Sequence, residues 1–254
     1  MWAIETEGLT RLFDGKPAVE GLALRVPEGS FYGFLGPNGA GKSTTMRLLT
    51  GLLAPTGGSA RVLGRDLARD PLEVKRRVGV VPDGLQLFER LTGAEQLRIT
   101  GRLYGLDPDT ATRRAAELLD ALELTGESGK LVADFSHGMK KKLALGCALI
   151  HGPRLLFLDE PFEGIDAVAV AGIRRLLQEL VARRALTIFL TSQVLEVVER
   201  LVTHVGIIHR GRLVREGTID EVRASGTLEE TFIRAVGEDR PRASGLSWLA
   251  GEVA

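Results

Sequence analysis

Residues 36–44 read GPNGAGKST, a glycine-rich segment that ends in a lysine and two hydroxyl residues. It fits the pattern G-x-x-x-x-G-K-[ST], follows an apolar segment at 30–35 and opens a helix predicted at 42–53. The glycines let successive backbone N–H groups point at phosphate oxygens, and the helix directs its N-terminus to the same place. Lys42 is predicted to reach the β- and γ-phosphates, and Ser43 to bind Mg²⁺. The candidate nucleotide-binding residues are Gly36, Pro37, Asn38, Gly39, Ala40, Gly41, Lys42, Ser43 and Thr44.

A second feature is an apolar strand, LLFL at 155–158, that ends in two carboxylates, Asp159 and Glu160. Such a strand places its last residues at the carboxyl edge of an open α/β sheet, where ligands bind. Asp159 is predicted to hold Mg²⁺, directly or through water, and Glu160 to polarise a water towards the γ-phosphate. The alternative is that both residues only cap a strand, which the preceding phosphate loop disfavours.

The order of predicted elements indicates an α/β fold. Short strand-like segments, such as 23–26 and 59–63, dominate the first 65 residues, and a helical insertion follows from about residue 84. Helices predicted at 139–150, 168–183 and 195–202 then alternate with strands predicted at 155–159, 186–191 and 205–208. This alternation predicts a mostly parallel sheet covered on both faces.

Composition excludes several classes of protein. The 254 residues carry 33 Lys plus Arg and 33 Asp plus Glu, a balance that argues against a dedicated nucleic-acid binder and against an acidic disordered chain. The single cysteine, Cys147, excludes an internal disulfide, and its apolar surroundings favour a small core residue. No stretch approaches the roughly 18 apolar residues of a membrane-spanning helix, so direct lipid insertion is not expected.

Residues from about 4 to 220 resemble an ABC (ATP-binding cassette) transporter nucleotide-binding domain. Four elements carry the resemblance: the GPNGAGKST loop; SHGMK at 136–140, similar to the LSGGQ signature; LLFLDEPFEGID at 155–166, similar to the Walker B strand, catalytic Glu and D-loop; and Phe13, at the place of an adenine-stacking aromatic. The stretch at 136–161 looks most like ABC-2-type exporter ATPases.

The resemblance implies a P-loop NTPase core with a mostly parallel sheet, an N-terminal antiparallel β subdomain and a helical subdomain at about 84–150. The cassette is expected at 1–220, followed by a partly flexible extension at 221–254 whose end, from Arg240, looks weakly structured. The implied ligands are ATP and Mg²⁺. The implied partners are a second cassette, identical or different, and a separate transmembrane permease that holds the chain on the cytoplasmic face of the membrane.

The signature comprises Ser136, His137, Gly138, Met139 and Lys140, and in the family it binds the γ-phosphate held by the opposite subunit. It precedes a helix, whose N-terminus favours an anion. Ser136 is equally suited to be an ordinary helix N-cap, and both roles can hold at once. Asp166 is the D-loop residue. For Phe13 the alternative is a core aromatic, and Lys140–Lys142 is expected to be a solvated helix face.

Two positions depart from the family pattern. Asp83 stands where the Q-loop has Gln, and it is predicted to ligate Mg²⁺, the alternative being a solvated turn residue. Gln193 stands where the H-loop has His, and it cannot carry positive charge or shuttle a proton. Because of Gln193, a degenerate cassette that binds ATP and dimerises but hydrolyses slowly remains an alternative.

Two other classes of protein are disfavoured. A P-loop kinase or GTPase is disfavoured by the signature ahead of the Walker B strand and by the lack of an Asn-Lys-x-Asp motif. A cassette acting on DNA or ribosomes is disfavoured by the neutral charge, the single cassette and the lack of a long coiled-coil insertion.

Overall fold

The strands and helices follow from a computed structural model that describes residues 1–183, 186–224 and 226–237. The strands are β1 (Trp2–Phe13), β2 (Lys16–Leu22), β3 (Arg25–Pro27), β4 (Phe31–Leu35), β5 (Gly57–Val62), β6 (Arg65–Asp66), β7 (Val78–Val81), β8 (Leu155–Asp159), β9 (Thr187–Ser192), β10 (His204–His209) and β11 (Arg212–Thr218). The α-helices are α1 (Lys42–Leu49), α2 (Pro71–Lys75), α3 (Gly93–Leu103), α4 (Pro108–Ala121), α5 (His137–Leu149), α6 (Ala167–Ala182), α7 (Leu195–Glu199), α8 (Ile219–Arg223) and α9 (Leu228–Val236).

A six-stranded sheet carries the phosphate loop and the acidic pair. Its order is β11-β10-β4-β9-β8-β7, and every neighbouring pair is parallel except the edge pair of β10 and β11. Every residue of β4, β8 and β9 is buried, as expected for strands covered on both faces. The predicted mostly parallel sheet is confirmed.

A second sheet is built from the N-terminal segment. Strand β1 pairs antiparallel with β2, β3 and β5, and β5 pairs antiparallel with β6. Its order through the main path is β2-β1-β5-β6. The antiparallel N-terminal sheet is confirmed, although β1 runs for 12 residues where only short strands were expected.

Side chains that form helix caps fix the helix starts. Thr92 and Glu95 form a capping box at α3, and Asp107 accepts a hydrogen bond from the backbone N–H of Thr110 at α4. Helix α1 ends at Leu49, four residues before the predicted end, and Gly51 at φ 67° turns the chain there. Short 3₁₀ turns at Thr125–Glu127 and Val132–Asp134 join α4 to α5.

The two faces of the parallel sheet contribute to different cores. Alternating side chains of β8 and β9 place Phe157 and Phe189 in a core with Tyr32, Phe34 and the N-terminal sheet, where ring centroids lie 5.3–5.6 Å apart. The opposite face packs against α3–α6. This second core also receives α8 and α9, through Ile219, Val222 and Leu228.

Helices α3, α4 and α5 fall within the stretch at 84–150 predicted to be helical. The weakly structured segment expected from Arg240 lies outside the described residues. Among the helices of the described ranges, none combines the length and the apolar character needed to cross a membrane.

Candidate functional site

The carboxyl ends of β4, β7, β8 and β9 open into one cavity of about 390 Å³. This is the edge at which ligands bind in open parallel sheets. Twelve residues line the cavity: Ala18, Pro37, Asn38, Gly39, Gly41, Lys42, Ser43, Thr44, Asp83, Glu160, Glu163 and Gln193. The structure therefore brings together the phosphate loop, one residue of the acidic pair and both positions that depart from the family pattern.

The phosphate loop requires glycine at two points of close backbone approach. Gly41, the N-cap of α1, has φ 109°, and a Cβ there would lie 2.5 Å from the carbonyl oxygen of Ala18. A Cβ on Gly36 would lie 2.5 Å from the carbonyl oxygen of Ile208. Gly36 and Ala40 do not line the cavity, and both are buried.

Lys42 is almost fully buried, with 6% of the residue exposed. Its Nζ donates to the carbonyl oxygens of Gly36 (2.7 Å) and Pro37 (3.4 Å), and lies 3.4 Å from Oε1 of Glu160. The ammonium is thus held inside the curl of the loop, next to the N-terminus of α1. This is where a β- or γ-phosphate would be bound.

The residues predicted to bind Mg²⁺ through a hydroxyl and a carboxylate lie close together. Oδ1 of Asp159 accepts hydrogen bonds from Thr191 Oγ1 (2.5 Å) and Ser43 Oγ (3.5 Å). Within the described ranges, His, Cys, Asp and Glu side chains form no cluster of three that could hold a metal ion. One hydroxyl and one carboxylate nevertheless fit Mg²⁺, which keeps waters and takes further oxygen ligands from the phosphates of its nucleotide.

Glu160 is held in an uncommon backbone conformation. Its φ is 45°, in the left-handed region that non-glycine residues seldom adopt. Its backbone N–H donates to the carbonyl oxygen of Thr191 (3.2 Å), and its Oε2 accepts from the backbone N–H of Gln193 (3.2 Å). The turn separates the two neighbouring carboxylates, so that Asp159 faces Ser43 and Glu160 faces Lys42 and Gln193.

The prediction that Lys140–Lys142 form a solvated face is wrong for Lys141. This residue is 5% exposed, and its Nζ donates to the carbonyl oxygens of Glu160 (2.8 Å) and Glu163 (2.6 Å). Burial lowers the pKa of Lys141, while the charges of Asp83, Glu163 and Glu160 oppose that shift. Its two neighbours are partly buried and pair with carboxylates: Nζ of Lys140 lies 3.4 Å from Oε1 of Glu89, and Nζ of Lys142 lies 3.0 Å from Oε2 of Glu123.

The signature residues 136–140 lie away from the cavity. Ser136 is the N-cap of α5, since its Oγ accepts from the backbone N–H of Met139 (3.2 Å), which confirms the capping role. A Cβ added to Gly138 would lie 3.7 Å from Oδ2 of Asp166. Asp166 in turn caps α6, accepting from the N–H groups of Val168 and Ala169 at 2.9 Å each. The first turn of α5 therefore packs against the D-loop.

Phe13 is not a core aromatic, because 44% of the residue is exposed at the end of β1. The guanidinium carbon of Arg11 lies 4.7 Å from the centroid of its ring, a cation–π contact. Phe13 does not line the cavity of the phosphate loop. Its stacking on adenine stays a prediction.

Sequence reasoning missed three residues of the site: Lys141, Glu163 and Thr191. Thr191 had a usable signal, since it ends the strand that pairs with β8 and lies in register with Asp159. Lys141 sits in a run of three lysines and carried no signal of burial. Glu163 lies two residues beyond a proline in the D-loop stretch and also carried no signal.

A family model and several known proteins match this chain. The family model described as ABC transporter matches residues 19–163. The chain is 42% identical over 223 residues to the daunorubicin/doxorubicin resistance ATP-binding protein DrrA of Streptomyces peucetius, covering 88% of this chain and 67% of that protein. It is 40% identical over 220 residues to the bacitracin transport ATP-binding protein BcrA of Bacillus licheniformis, covering 87% and 71%.

A solved structure of the ATP binding subunit of an ABC transporter superposes with a TM-score of 0.84 and 31% identity, over 92% of this chain and 99% of that one. The resemblance drawn from the motifs, including that to ABC-2-type exporter ATPases, is confirmed, and so is the fold. The chain belongs to the ABC transporter family, as an ATP-binding subunit whose ATPase activity is coupled to transport.

Proposed function

We propose that this chain hydrolyses MgATP in the cavity at the sheet edge, with Glu160 polarising the attacking water, and so energises a separate transmembrane permease that exports its substrate. The observation that carries this proposal is the meeting of Lys42, Ser43, Asp159 and Glu160 at one edge of the parallel sheet. Each residue has the chemistry that phosphoryl transfer to water requires at that place.

The roles follow from the contacts. The N–H groups of the loop and the ammonium of Lys42 bind the phosphates, and Ser43 with Asp159 would hold Mg²⁺. When bound, Mg²⁺ supplies positive charge that offsets charge developing on the phosphate oxygens. Glu160 has one carboxylate oxygen beside Lys42 and the other on the backbone of Gln193, so it is oriented towards the cavity. The side chains of Asp83 and Gln193 face the same space.

The proposed assembly is a head-to-tail pair of cassettes, identical or different, with two ATP molecules between them. The signature residues 136–140 support this proposal because they lie outside the chain's own cavity yet begin α5, a helix whose N-terminus favours an anion. An ATP held by the second cassette would supply that anion. Phe13, exposed at the end of β1, is proposed to stack on adenine.

The proposed contact with the permease is a groove of about 270 Å³ beside Asp83, between the core and the helical subdomain at about 84–150. Two exposed aromatic residues line it, Phe88 (58% exposed) and Tyr104 (42% exposed), together with Leu85 and Leu87. Such a surface suits an amphipathic helix of the partner. The chain would then lie on the cytoplasmic face of the cell membrane without inserting into lipid.

The proposed direction of transport is export. Export is favoured because relatives are named for drug resistance and for bacitracin transport.

A second candidate function is a cassette that binds ATP and dimerises but hydrolyses slowly. It is favoured by one observation: Gln193, which cannot carry positive charge, lines the cavity beside Glu160.

Membrane sedimentation and phosphate release test the proposal together. The purified chain should release phosphate from MgATP and stay in the supernatant with protein-free liposomes. Co-expressed with its permease, it should move to the membrane fraction. Strong binding to protein-free liposomes, or no phosphate release in either setting, would contradict the proposed function.

A further inference from the structure

Lys141 is a buried cation that joins two parts of the site. It lies in the first turns of α5, directly after the signature, and its Nζ reaches across to the turn that follows β8. That turn contains Glu160 and Glu163, both of which line the cavity. A lysine is seldom buried, because its ammonium then loses its hydrogen bonds to water and needs protein acceptors in their place. Here the acceptors are the carbonyl oxygens of Glu160 and Glu163.

The turn needs such support. Glu160 sits at φ 45°, a conformation that persists only where surrounding contacts impose it. Within the turn, the carbonyl oxygen of Glu160 accepts from the backbone N–H of Glu163 (3.3 Å). Four residues outside the turn also contact Glu160. Its N–H donates to Thr191, its Oε2 accepts from the backbone of Gln193, its Oε1 faces Lys42, and its carbonyl oxygen accepts from Lys141 at 2.8 Å.

The first three contacts come from the end of β9, the residue that follows it and α1, whereas Lys141 comes from α5. Its second bond, 2.6 Å to the carbonyl oxygen of Glu163, fixes the other end of the same turn. The ammonium therefore spans the turn from residue 160 to residue 163. Asp83, Glu160 and Glu163 surround it with negative charge, which favours its charged form.

We propose that Lys141 is a positioning residue for hydrolysis: it holds the 160–163 turn so that the carboxylate of Glu160 faces the γ-phosphate. The inference rests on the proposed role of Glu160. It predicts a defect in the chemical step rather than in ATP binding, because Lys141 acts through the turn and does not line the cavity. A small displacement of a catalytic group is sufficient to lower kcat.

The test compares Lys141→Met with Lys141→Arg and with a matched control, Lys142→Met. Methionine keeps the length and apolar stem of the lysine but donates no hydrogen bond. Arginine keeps the charge and the donors. Lys142 is the next residue of the same helix, and its Nζ bonds to Glu123 instead. Steady-state phosphate release gives kcat and KM, and titration with a fluorescent ATP analogue gives the affinity.

Lys141→Met should lower kcat by roughly 10- to 100-fold while the affinity for the ATP analogue stays within about twofold. Lys141→Arg should retain most of the activity, and Lys142→Met should match wild type. Unchanged kcat in Lys141→Met, or a raised KM with unchanged kcat, would overturn the inference.

Further variants distinguish a folding defect, and a failure of the role of Glu160, from a failure of the role of Lys141. If Lys141→Met does not fold, Lys141→Gln and Lys141→Arg replace it: a slow Gln variant beside an active Arg variant supports the inference, and equal, wild-type activity in both overturns it. If Glu160→Gln keeps full turnover, the proposed role of Glu160 fails first. If Glu160→Gln is inactive while Lys141→Met turns over normally, only the positioning role of Lys141 fails.

Discussion

The ammonium of Lys42 lies 3.4 Å from Oε1 of Glu160, and both side chains are nearly enclosed, at 7% and 11% exposure. The phosphate loop and the residue after the Walker B strand, 118 positions apart in sequence, therefore meet through one ion pair. Because Lys42 is also the group predicted to bind the β- and γ-phosphates, this contact supports the proposed position of Glu160 beside the γ-phosphate. We propose that this geometry serves hydrolysis.

Replacing Lys42 should weaken ATP binding. Lys42→Ala removes a charge-assisted contact to a triphosphate, and such contacts are worth about 1.5–3 kcal/mol, or roughly tenfold or more in affinity. Titration with a fluorescent ATP analogue measures the loss. Lys130→Ala, which removes an exposed lysine paired with Glu127, is the control and should bind normally. Unchanged affinity in Lys42→Ala would place the nucleotide elsewhere.

Replacing Gln193 by histidine should raise the rate of hydrolysis. The backbone N–H of residue 193 would still donate to Oε2 of Glu160, so only the side chain that faces the cavity changes. One preorganised donor is worth on the order of 10²–10³ in rate, part of which the Gln amide already recovers. We expect roughly a tenfold gain in kcat with little change in KM.

Steady-state phosphate release measures the effect of Gln193→His. Gln193→Ala, which offers no donor, should be slower than wild type. If the His variant is equal to wild type or slower, Gln193 is a competent replacement, and the slow-cassette alternative loses its support.

The groove beside Asp83 should be required for membrane association. Phe88→Asp places a charge in the proposed permease contact and should shift the co-expressed chain from the membrane fraction to the supernatant. ATP affinity should not change, because Phe88 does not line the phosphate cavity. Leu72→Asp, at an exposed position on α2, is the control and should stay with the membrane. Equal sedimentation of the two variants would rule out this groove.

The thiol of Cys147 should react slowly in the folded protein. Burial raises the pKa of Cys147 to about 11, so about one thiol in a thousand is a thiolate at pH 8. Because the thiolate is the reactive form, labelling by Ellman's reagent should accelerate about tenfold per pH unit from pH 8 to 10. Unfolding in guanidinium at pH 8 should raise the rate sharply. Equal rates in the folded and unfolded chain would contradict this burial.

The sequence predicted the parts of the site that depend on local pattern. The phosphate loop was predictable because its glycines, lysine and serine are adjacent in sequence and lie between a strand and a helix. Asp159 and Glu160 were predictable because an apolar strand delivers its last residues to the sheet edge. Asp83 and Gln193 were located only through the family pattern, and the structure places both in the cavity.

Contacts between distant segments were not predictable from local pattern. Lys141 is one of three consecutive lysines, and its ammonium is buried because α5 packs against the 160–163 turn. The hydroxyl of Thr191 donates a hydrogen bond to Asp159 on the neighbouring strand, and the register of β8 and β9 sets this contact. The length of β1 was missed because its polar and apolar residues do not alternate cleanly, and its pairing with β5 shifts register between Glu7 and Thr10.

Phosphate release by Glu160→Gln, measured beside its affinity for ATP, shows whether Glu160 serves hydrolysis. The amide keeps the size of the side chain but cannot accept a proton from the attacking water. We expect near-normal binding of a fluorescent ATP analogue and a loss of kcat of at least about 100-fold, with a cassette dimer in MgATP by size-exclusion chromatography. Turnover equal to wild type, with ATP binding intact, would contradict the catalytic role of Glu160.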